Sequence, residues 1–357
     1  MISYGKDAPT RWRSLALAGW LAVVLAWALP STASAADETR SLCIFDIIGS
    51  QGDAFALMKQ YQVEALKAGV SFQLRAYQDE HRAVEDFRAG QCDVVGITDI
   101  PAREFNSFSG SISAIGAVPL YHDLKILMNS LADRRVASRM GNADYQVLGV
   151  VPLGGVYLFV NDRAINTVDA LRNKRIAALQ NHSDAVHMIE YVGARPVPAH
   201  VTTVAPLFKT GQVDIAYVPA AAYEVLEMHV GMGDKGGIVR YPLGQFTLQL
   251  ITRTDTFDKA FVAQSRRIMA GLFDQAMASI LRYERSVPED RWIDLPREAI
   301  DGYQEMLRGL RVEIVSGSAA SGQALSNVYH PDMLRLLRKI RCHTDPGAVE
   351  CTAQDKE

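Results

Sequence analysis

The chain has no second long apolar run, no excess of either charge and none of the short motifs that mark most enzyme classes. After residue 29 no stretch approaches the roughly 20 consecutive apolar residues that a membrane-spanning helix needs, so the mature chain is expected to be soluble. Lys and Arg number 37 against 40 Asp and Glu, a balance that gives no electrostatic reason to bind nucleic acid. There is no Cys-x-x-Cys and no His-Glu-x-x-His, so no metal site is expected. A Gly-x-Ser-x-Gly elbow is also missing. His182 and His187 are five apart and do not share a helix face. Gly231-Met232-Gly233-Asp234-Lys235-Gly236 has Gly-x-Gly-x-x-Gly spacing, but it follows a predicted helix instead of joining a strand to one. No cofactor and no catalytic residue are assigned.

Cysteine is scarce too. All four, Cys43, Cys92, Cys342 and Cys351, lie beyond residue 35. The first 35 residues explain why an even count matters. Arg11 and Arg13 precede an uncharged apolar run from Leu15 to Leu29, Pro30 breaks it, and Ala33-Ser34-Ala35 supplies a small-x-small cleavage pattern. That is the layout of a secretory signal peptide (residues 1–35) cut after Ala35, which places the mature chain in the periplasm. Removal of this segment, which carries a net +2, takes the formal charge from −3 to −5. An oxidising compartment favours disulfides. Cys342 and Cys351 flank a short loop turned by Pro346-Gly347, and Cys43 and Cys92 each open a predicted strand. The expected pairs are Cys43–Cys92 and Cys342–Cys351.

What the chain does contain is an internal echo. Residues 86–97 read DFRAGQCDVVGI and residues 207–218 read LFKTGQVDIAYV. Each is a helix end, a glycine suited to the left-handed conformation (Gly90, Gly211), and a buried strand opening on Asp. Around the first copy the order is β-α-β-α-β, with nearly all-apolar strands at 42–48 and 92–98 and an alternating, edge-like strand at 70–76. Right-handed crossovers then place the first strand between the other two. The second copy repeats the plan with strands at 174–179, 195–199 and 213–218, the middle one Pro-containing and therefore an edge. Helices are expected at 220–230 and along 258–285, crossing segments at 147–161 and 238–253, and a last helix with Arg335, Arg338, Lys339 and Arg341 outward.

The resulting expectation is an α/β, two-lobed periplasmic-binding-protein fold of type II-like organisation, each lobe a doubly wound, mostly parallel sheet, with long C-terminal helices. Lobe 1 takes residues 36–152 with a return segment near 240–257, lobe 2 takes 153–239, and residues 258–357 form a helical region packing across both. Ligands gather at the carboxyl ends of such strands. That rule selects Asp46 and Ser50, Asp99 and Arg103, Asn181 and Ser183, and Tyr217 and Pro219, with Tyr157 added from the crossing strand. Amide N–H groups at 50–52 and 181–183 suit an anion, Arg103 suits a carboxylate, and the two tyrosines suit stacking. For Ser50, Asn181 and Ser183 simple helix capping is the competing role, and for Arg103 it is a salt bridge to a nearby acid such as Glu104.

Residues 166–224 resemble the extracytoplasmic solute-binding proteins of tripartite, TRAP-type transporters. NTVDALRNKRIAAL is similar to that family's Thr-x-x-Asp-Leu-x-Gly-x-Lys-Ile-Arg passage, and VGARPVPAHVTTVAPLFKTGQVDIAYVPAAAY to the stretch running from Leu-Gly-Ala-x-Pro-Val to the Gly-x-Val-Asp strand. AGQCDVVGI and AIGAVPL follow the same plan more loosely. The resemblance implies a protein that captures a small solute, anionic in that family's usual mode, and delivers it to membrane permease subunits; a monomer is expected. Two departures stand out: the family's carboxylate-gripping arginine falls on Ala177, and the polar residues after Gly-x-Val-Asp are Ala216, Tyr217 and Val218. They leave room for a less charged or larger ligand, or for an arginine supplied from elsewhere, such as Arg103. The alternatives to solute capture for a transporter are an accessory or sensor protein of an efflux or signalling system, suggested by the basic last helix and the Gly/Ser insert at 317–322, and an exported hydrolase with a dispersed triad.

Overall fold

The computed structural model describes residues 39–179, 182–316 and 328–353; the signal segment, Asn181 and the Gly/Ser insert lie outside them. In the first half, β1 (Arg40–Phe45), α1 (Asp53–Lys67), β2 (Phe72–Tyr77), α2 (Glu80–Arg88) and β3 (Val94–Thr98) follow one another, and β3 runs into the short helix α3 (Asp99–Ala102) and, further on, α4 (Tyr121–Leu131). The strands are parallel in the order β2-β1-β3. Leu42 and Ile44 face Met58 and Tyr61 on one side of the sheet, while Cys43 faces Phe87 on the other. β1 and β3 are covered on both faces, which is why they read as unbroken apolar runs, whereas the edge strand β2 leaves Gln73 and Arg75 exposed.

The 16-residue strand β4 (Tyr145–Val160) then crosses to the second half, where β5 (Arg175–Leu179), α5 (Ser183–Tyr191), β6 (Arg195–Ala199), α6 (Val204–Lys209) and β7 (Ile215–Pro219) repeat the arrangement. Here β5 lies between β7 and β6 in the sheet order, with β6 at the edge. The echo in the sequence has a structural cause. Gly90 and Gly211 sit at φ +78° and +68°. Three residues on, Asp93 accepts from the Ser41 N–H at 2.7 Å, and Asp214 accepts from the Arg175 N–H at 2.9 Å. In each half the aspartate before the third strand clasps the start of the first.

The chain returns through β9 (Gly244–Arg253), antiparallel to β3 on one side and to β4 on the other. The two half-sheets therefore join through β4 and β9, and the β4–β9 register slips at Val147/Gly149 and Pro152/Gly154. A polypeptide ribbon with two irregularities bends more readily than a regular ladder. Three sequence expectations change in detail. The helix expected over 220–230 is two short ones, α7 (Ala222–Val225) and α8 (Met228–Met232), broken where Glu227 adopts φ +51°. The return segment expected over 238–253 splits into β8 (Gly237–Val239) and β9, because Pro242 between them cannot donate to a ladder. The stripe over 258–285 divides at Leu272 into α9 (Lys259–Gly271) and α10 (Phe273–Ser286). Gly231–Gly236 links α8 to β8, as its position in the sequence implied.

Beyond β10 (Trp292–Ile293), which pairs with β8, come α11 (Arg297–Ser316), α12 (Pro331–Thr344) and the short α13 (Val349–Thr352). The basic face expected on α12 is corrected at Arg341. It points inward, donating to the Ala117 carbonyl at 2.7 Å and pairing with Glu350 at 2.6 Å. Arg338 donates to the Glu350 carbonyl, while Arg335, paired with Asp332 on the same helix, and Lys339 stay on the surface. Both disulfides are present. Cys43–Cys92 joins β1 to the approach to β3 with a Cα separation of 5.9 Å, and Cys342–Cys351 closes the loop after α12 at 5.6 Å. Among the described residues no helix is long and apolar enough to cross a membrane.

Candidate functional site

The loops selected in the sequence gather at the carboxyl ends of the strands, but several of their polar groups are committed to the protein itself. Asp46, at the end of β1, accepts from the N–H groups of Ile48 at 2.9 Å and Phe55 at 3.1 Å. It supplies the anion that the amino end of α1 attracts. A methyl group added to Gly52 would lie 1.9 Å from its Oδ1, so the carboxylate seats directly on that turn. Ser50 is exposed beside it.

Arg103, at the carboxyl end of α3, is the centre of the opposing contact. Its guanidinium donates to the Gly110 carbonyl at 3.1 Å, to the Ser113 hydroxyl at 3.0 Å and to Asp184 at 2.9 Å. Asp184 belongs to the first turn of α5, in the other half of the molecule. Tyr329 donates to the same carboxylate oxygen at 2.8 Å and lies under the Arg103 guanidinium. The pair is buried, at 11% and 3% side-chain exposure. Burial alone would push the Asp184 carboxyl up, but the Arg103 charge and the hydrogen bonds to Arg103 and Tyr329 outweigh it and hold the group below the usual carboxylate range. The salt-bridge role for Arg103 is therefore realised, though with Asp184; Glu104 instead pairs with Arg88.

Between these elements lies a narrow cavity with about 40 Å³ of free space, room for one or two waters as the walls stand. Ile100 and Ser113 come from the β3 side, His182, Asp184 and Met188 from the start of α5, and Tyr217 from β7. Val156 of β4 and Gly244, Gln245 and Phe246 of β9 form its floor. The lining is mostly apolar. Burial pushes the His182 imidazole down to about 4, so it is neutral. Tyr217 receives the Leu179 N–H at 3.4 Å, and burial raises its phenol.

The floor contains what the sequence reading missed. Gln245, Thr247 and Gln249 share one face of β9, and all three are buried. Thr247 donates its N–H to Asp99 at 2.8 Å, and Gln249 donates to the Ser109 carbonyl at 2.9 Å. Burial drives the Asp99 carboxyl up to about 6. Among the described residues, Asp99 Oδ2, Gln249 Oε1 and both ends of the Gln245 amide take no protein partner. The available signal was the alternation of Gln245, Thr247 and Gln249 with Phe246, Leu248 and Leu250, which by itself reads as a strand with one wet face.

The remaining residues expected at the site lie apart from this cavity or at its margin. Tyr157 is on the opposite face of β4 from Val156, where it donates to Glu284 at 2.7 Å, packs against Trp292, and meets Tyr121, which also pairs with Glu284. Ser183 opens α5 half-buried, and Pro219 ends β7. Two further hollows exist. One of about 200 Å³ lies between α1, β4 and α10, bordered by Asp53, Pro152 and Tyr283. The other, about 680 Å³, is an open groove along β2 lined by Phe55, Lys59 and Phe72, away from the strand ends.

Comparison with known proteins agrees with this layout. The family model described as solute-binding protein AdeT 1/2 matches residues 62–356. A probable solute-binding protein AdeT1 of Acinetobacter baumannii is 34% identical over 316 residues, covering 88% of this chain and all of that protein. A probable solute-binding protein AdeT2 of the same organism is 25% identical over 247 residues, covering 68% of this chain and 98% of its own. Among solved structures, a TRAP periplasmic solute-binding protein from Ralstonia eutropha H16 with bound (S)-2-acetolactate superposes with a TM-score of 0.65 at 11% identity, covering 85% of this chain and 99% of its own. One from Sulfitobacter with bound β-D-galacturonate gives 0.63 at 15%, covering 84% and 100%. At these identities the likeness is one of fold.

Proposed function

The chain belongs to the solute-binding protein AdeT 1/2 family, and from that membership we propose that it is a periplasmic receptor that captures a small molecule between two lobes and presents it to membrane permease subunits. The observation that carries this reading is the cavity at the facing strand ends, floored by the β4–β9 ribbon and walled from both halves. Binding there needs no covalent step, and closure is a bend of the ribbon driven by contacts made only when the halves meet. In this reading residues 1–35 are an export signal cut after Ala35. Lobe 1 is 36–152 with the return near 240–257, lobe 2 is 153–239, residues 258–357 span both, and the protein acts as a monomer. The accessory or sensor alternative loses Arg341 from its basic face, while Arg335 and Lys339 stay exposed on α12.

The test is a solute screen on protein isolated from the periplasm, read by melting temperature and by small-angle X-ray scattering. A ligand that raises the melting temperature and shrinks the radius of gyration supports capture by closure. Solutes that stabilise the protein with no change in its dimensions would remove the hinge, and a broad panel of acids, amides, sugars and amines with no response would remove the receptor role.

A further inference from the structure

Within this solute-binding reading, the cavity's chemistry points to a class of ligand different from the organic acids bound in the solved neighbours. Among the described residues the cavity is lined by no lysine and no arginine. The cation behind it, Arg103, is already answered by a carboxylate, that of Asp184, through a buried 2.9 Å contact reinforced by Tyr329. Asp184 thus stands where a ligand carboxylate would have to go. A second acid entering the cavity would have to displace it or remain unpaired in a dry site, and either is costly. The position of the related family's arginine is Ala177, buried among apolar neighbours.

What the cavity does offer is an amide. Gln245 is 1% exposed and lines the floor, yet neither its Nε2 nor its Oε1 meets a protein partner among the described residues. A buried primary amide presents a donor and an acceptor side by side. Leaving both unmatched is destabilising, whereas a group carrying the complementary acceptor and donor satisfies both at once. The walls around it, Ile100, Ile115, Val156, Met188 and Leu243, are apolar. We propose that the cavity accepts a neutral solute presenting an amide-like edge, a donor beside an acceptor, on an apolar body, and that Asp184 excludes carboxylates by occupying Arg103.

Matched pairs that differ only in this edge test the proposal: nicotinamide against nicotinate, and benzamide against benzoate. Near saturation the amides are expected to raise the melting temperature by about 3 °C or more, and the acids to leave it unchanged. Gln245→Met, which keeps the bulk and removes the edge, is expected to weaken the amide response about tenfold or more. Asp184→Ala frees Arg103 and is expected to create a response to nicotinate. Asp184→Asn, which leaves Arg103 an acceptor, is the second variant if the alanine form does not fold. A wild-type protein that answers the acids and ignores the amides overturns the proposal while leaving solute capture intact. So does an amide response that survives Gln245→Met at full strength. If neither member of either pair stabilises the protein, the amide assignment falls, and the receptor role is decided separately by the broad panel and scattering described above.

Discussion

Arg103 and Asp184 meet at 2.9 Å from opposite halves of the molecule, one after the third strand of the first half and the other at the start of the helix after the first strand of the second. Because both side chains are largely out of water, removing one partner strands a charge. Arg103→Met alone is expected to cost about 3–5 kcal/mol, and the double variant Arg103→Met/Asp184→Leu much less. Urea denaturation of the four proteins in a double-mutant cycle measures the coupling. Single variants costing under about 1 kcal/mol would mean that the pair is solvated and the halves stand apart in solution.

The clasps at Asp93 and Asp214 predict a symmetrical pair of losses. Asp93 accepts from both the N–H and the hydroxyl of Ser41 at 2.7 Å, and Asp214 holds the Arg175 N–H, Nε and guanidinium end. Burial raises both carboxyls, but these bonds outweigh it in Asp93 and lead in Asp214, so both are held below the usual range. Each Asp→Ala change is expected to cost about 1–2 kcal/mol, the lower part of the range for charge-assisted bonds because the sites are partly wet. The losses should add, since the two sites share no partner. A strongly non-additive double variant would show that the two halves do not fold as separate repeats.

These clasps show how far the sequence could be read. The glycine and the aspartate of each repeat were visible as a pattern, while right-handed crossovers and the edge-like sequences of β2 and β6 placed β1 between β2 and β3 and β5 between β6 and β7. The same order brought Cys43 beside Cys92. The partners of the pattern, Ser41 and Arg175, were not visible, because nothing local marks a residue some 40 or 50 positions away as the receiver of a hydrogen bond. The site behaves the same way. Local rules found Arg103 and Tyr217 at strand ends, but Asp184 looked like an ordinary first-turn acid of a helix. Gln245 was hidden in a strand read only as a crossing, since periodicity reports which residues share a face and not whether that face meets water or a cavity.

Asp99 predicts a pH dependence of definite sign. Its folded carboxyl is pushed up to about 6 by burial from an ordinary value of 3.8. Between those values the folded protein binds more protons than the unfolded chain, so stability falls as pH rises through the window. Asp184, held low in the folded state, acts in the opposite sense: its contribution is present above about pH 4 and lost as pH falls further. Asp99→Asn retains an oxygen for the Thr247 N–H and removes the titration. The difference in unfolding free energy between variant and wild type should therefore grow by about 2–3 kcal/mol from pH 4 to pH 6.5. Asp46, also raised by burial, titrates in both proteins and cancels, whereas Glu80, raised by burial and by the Asp99 charge, shifts down in the variant and adds to the difference in the same direction. Parallel stability profiles would mean that Asp99 is solvated in the folded protein.

Ala177 supplies the sharpest test of where an acid can be held. In the TRAP-type proteins that this chain resembles, the arginine at this position grips a carboxylate, so restoring it is the obvious route to acid binding. Here Ala177 is 1% exposed in β5 and belongs to a core with Phe159, Phe208, Ala216 and Val218. A guanidinium placed there would be buried among apolar groups, and the small alanine volume would have to expand against packed neighbours. Ala177→Arg is expected to cost about 4 kcal/mol or more and to gain no response to nicotinate. The contrast with Asp184→Ala, which is expected to gain that response by exposing a cation already in place, separates a lost arginine from a masked one. If Ala177→Arg melts near the wild-type temperature and binds nicotinate, the face of β5 around Ala177 opens to the ligand, and the cavity between Arg103 and Gln245 is not where the solute sits.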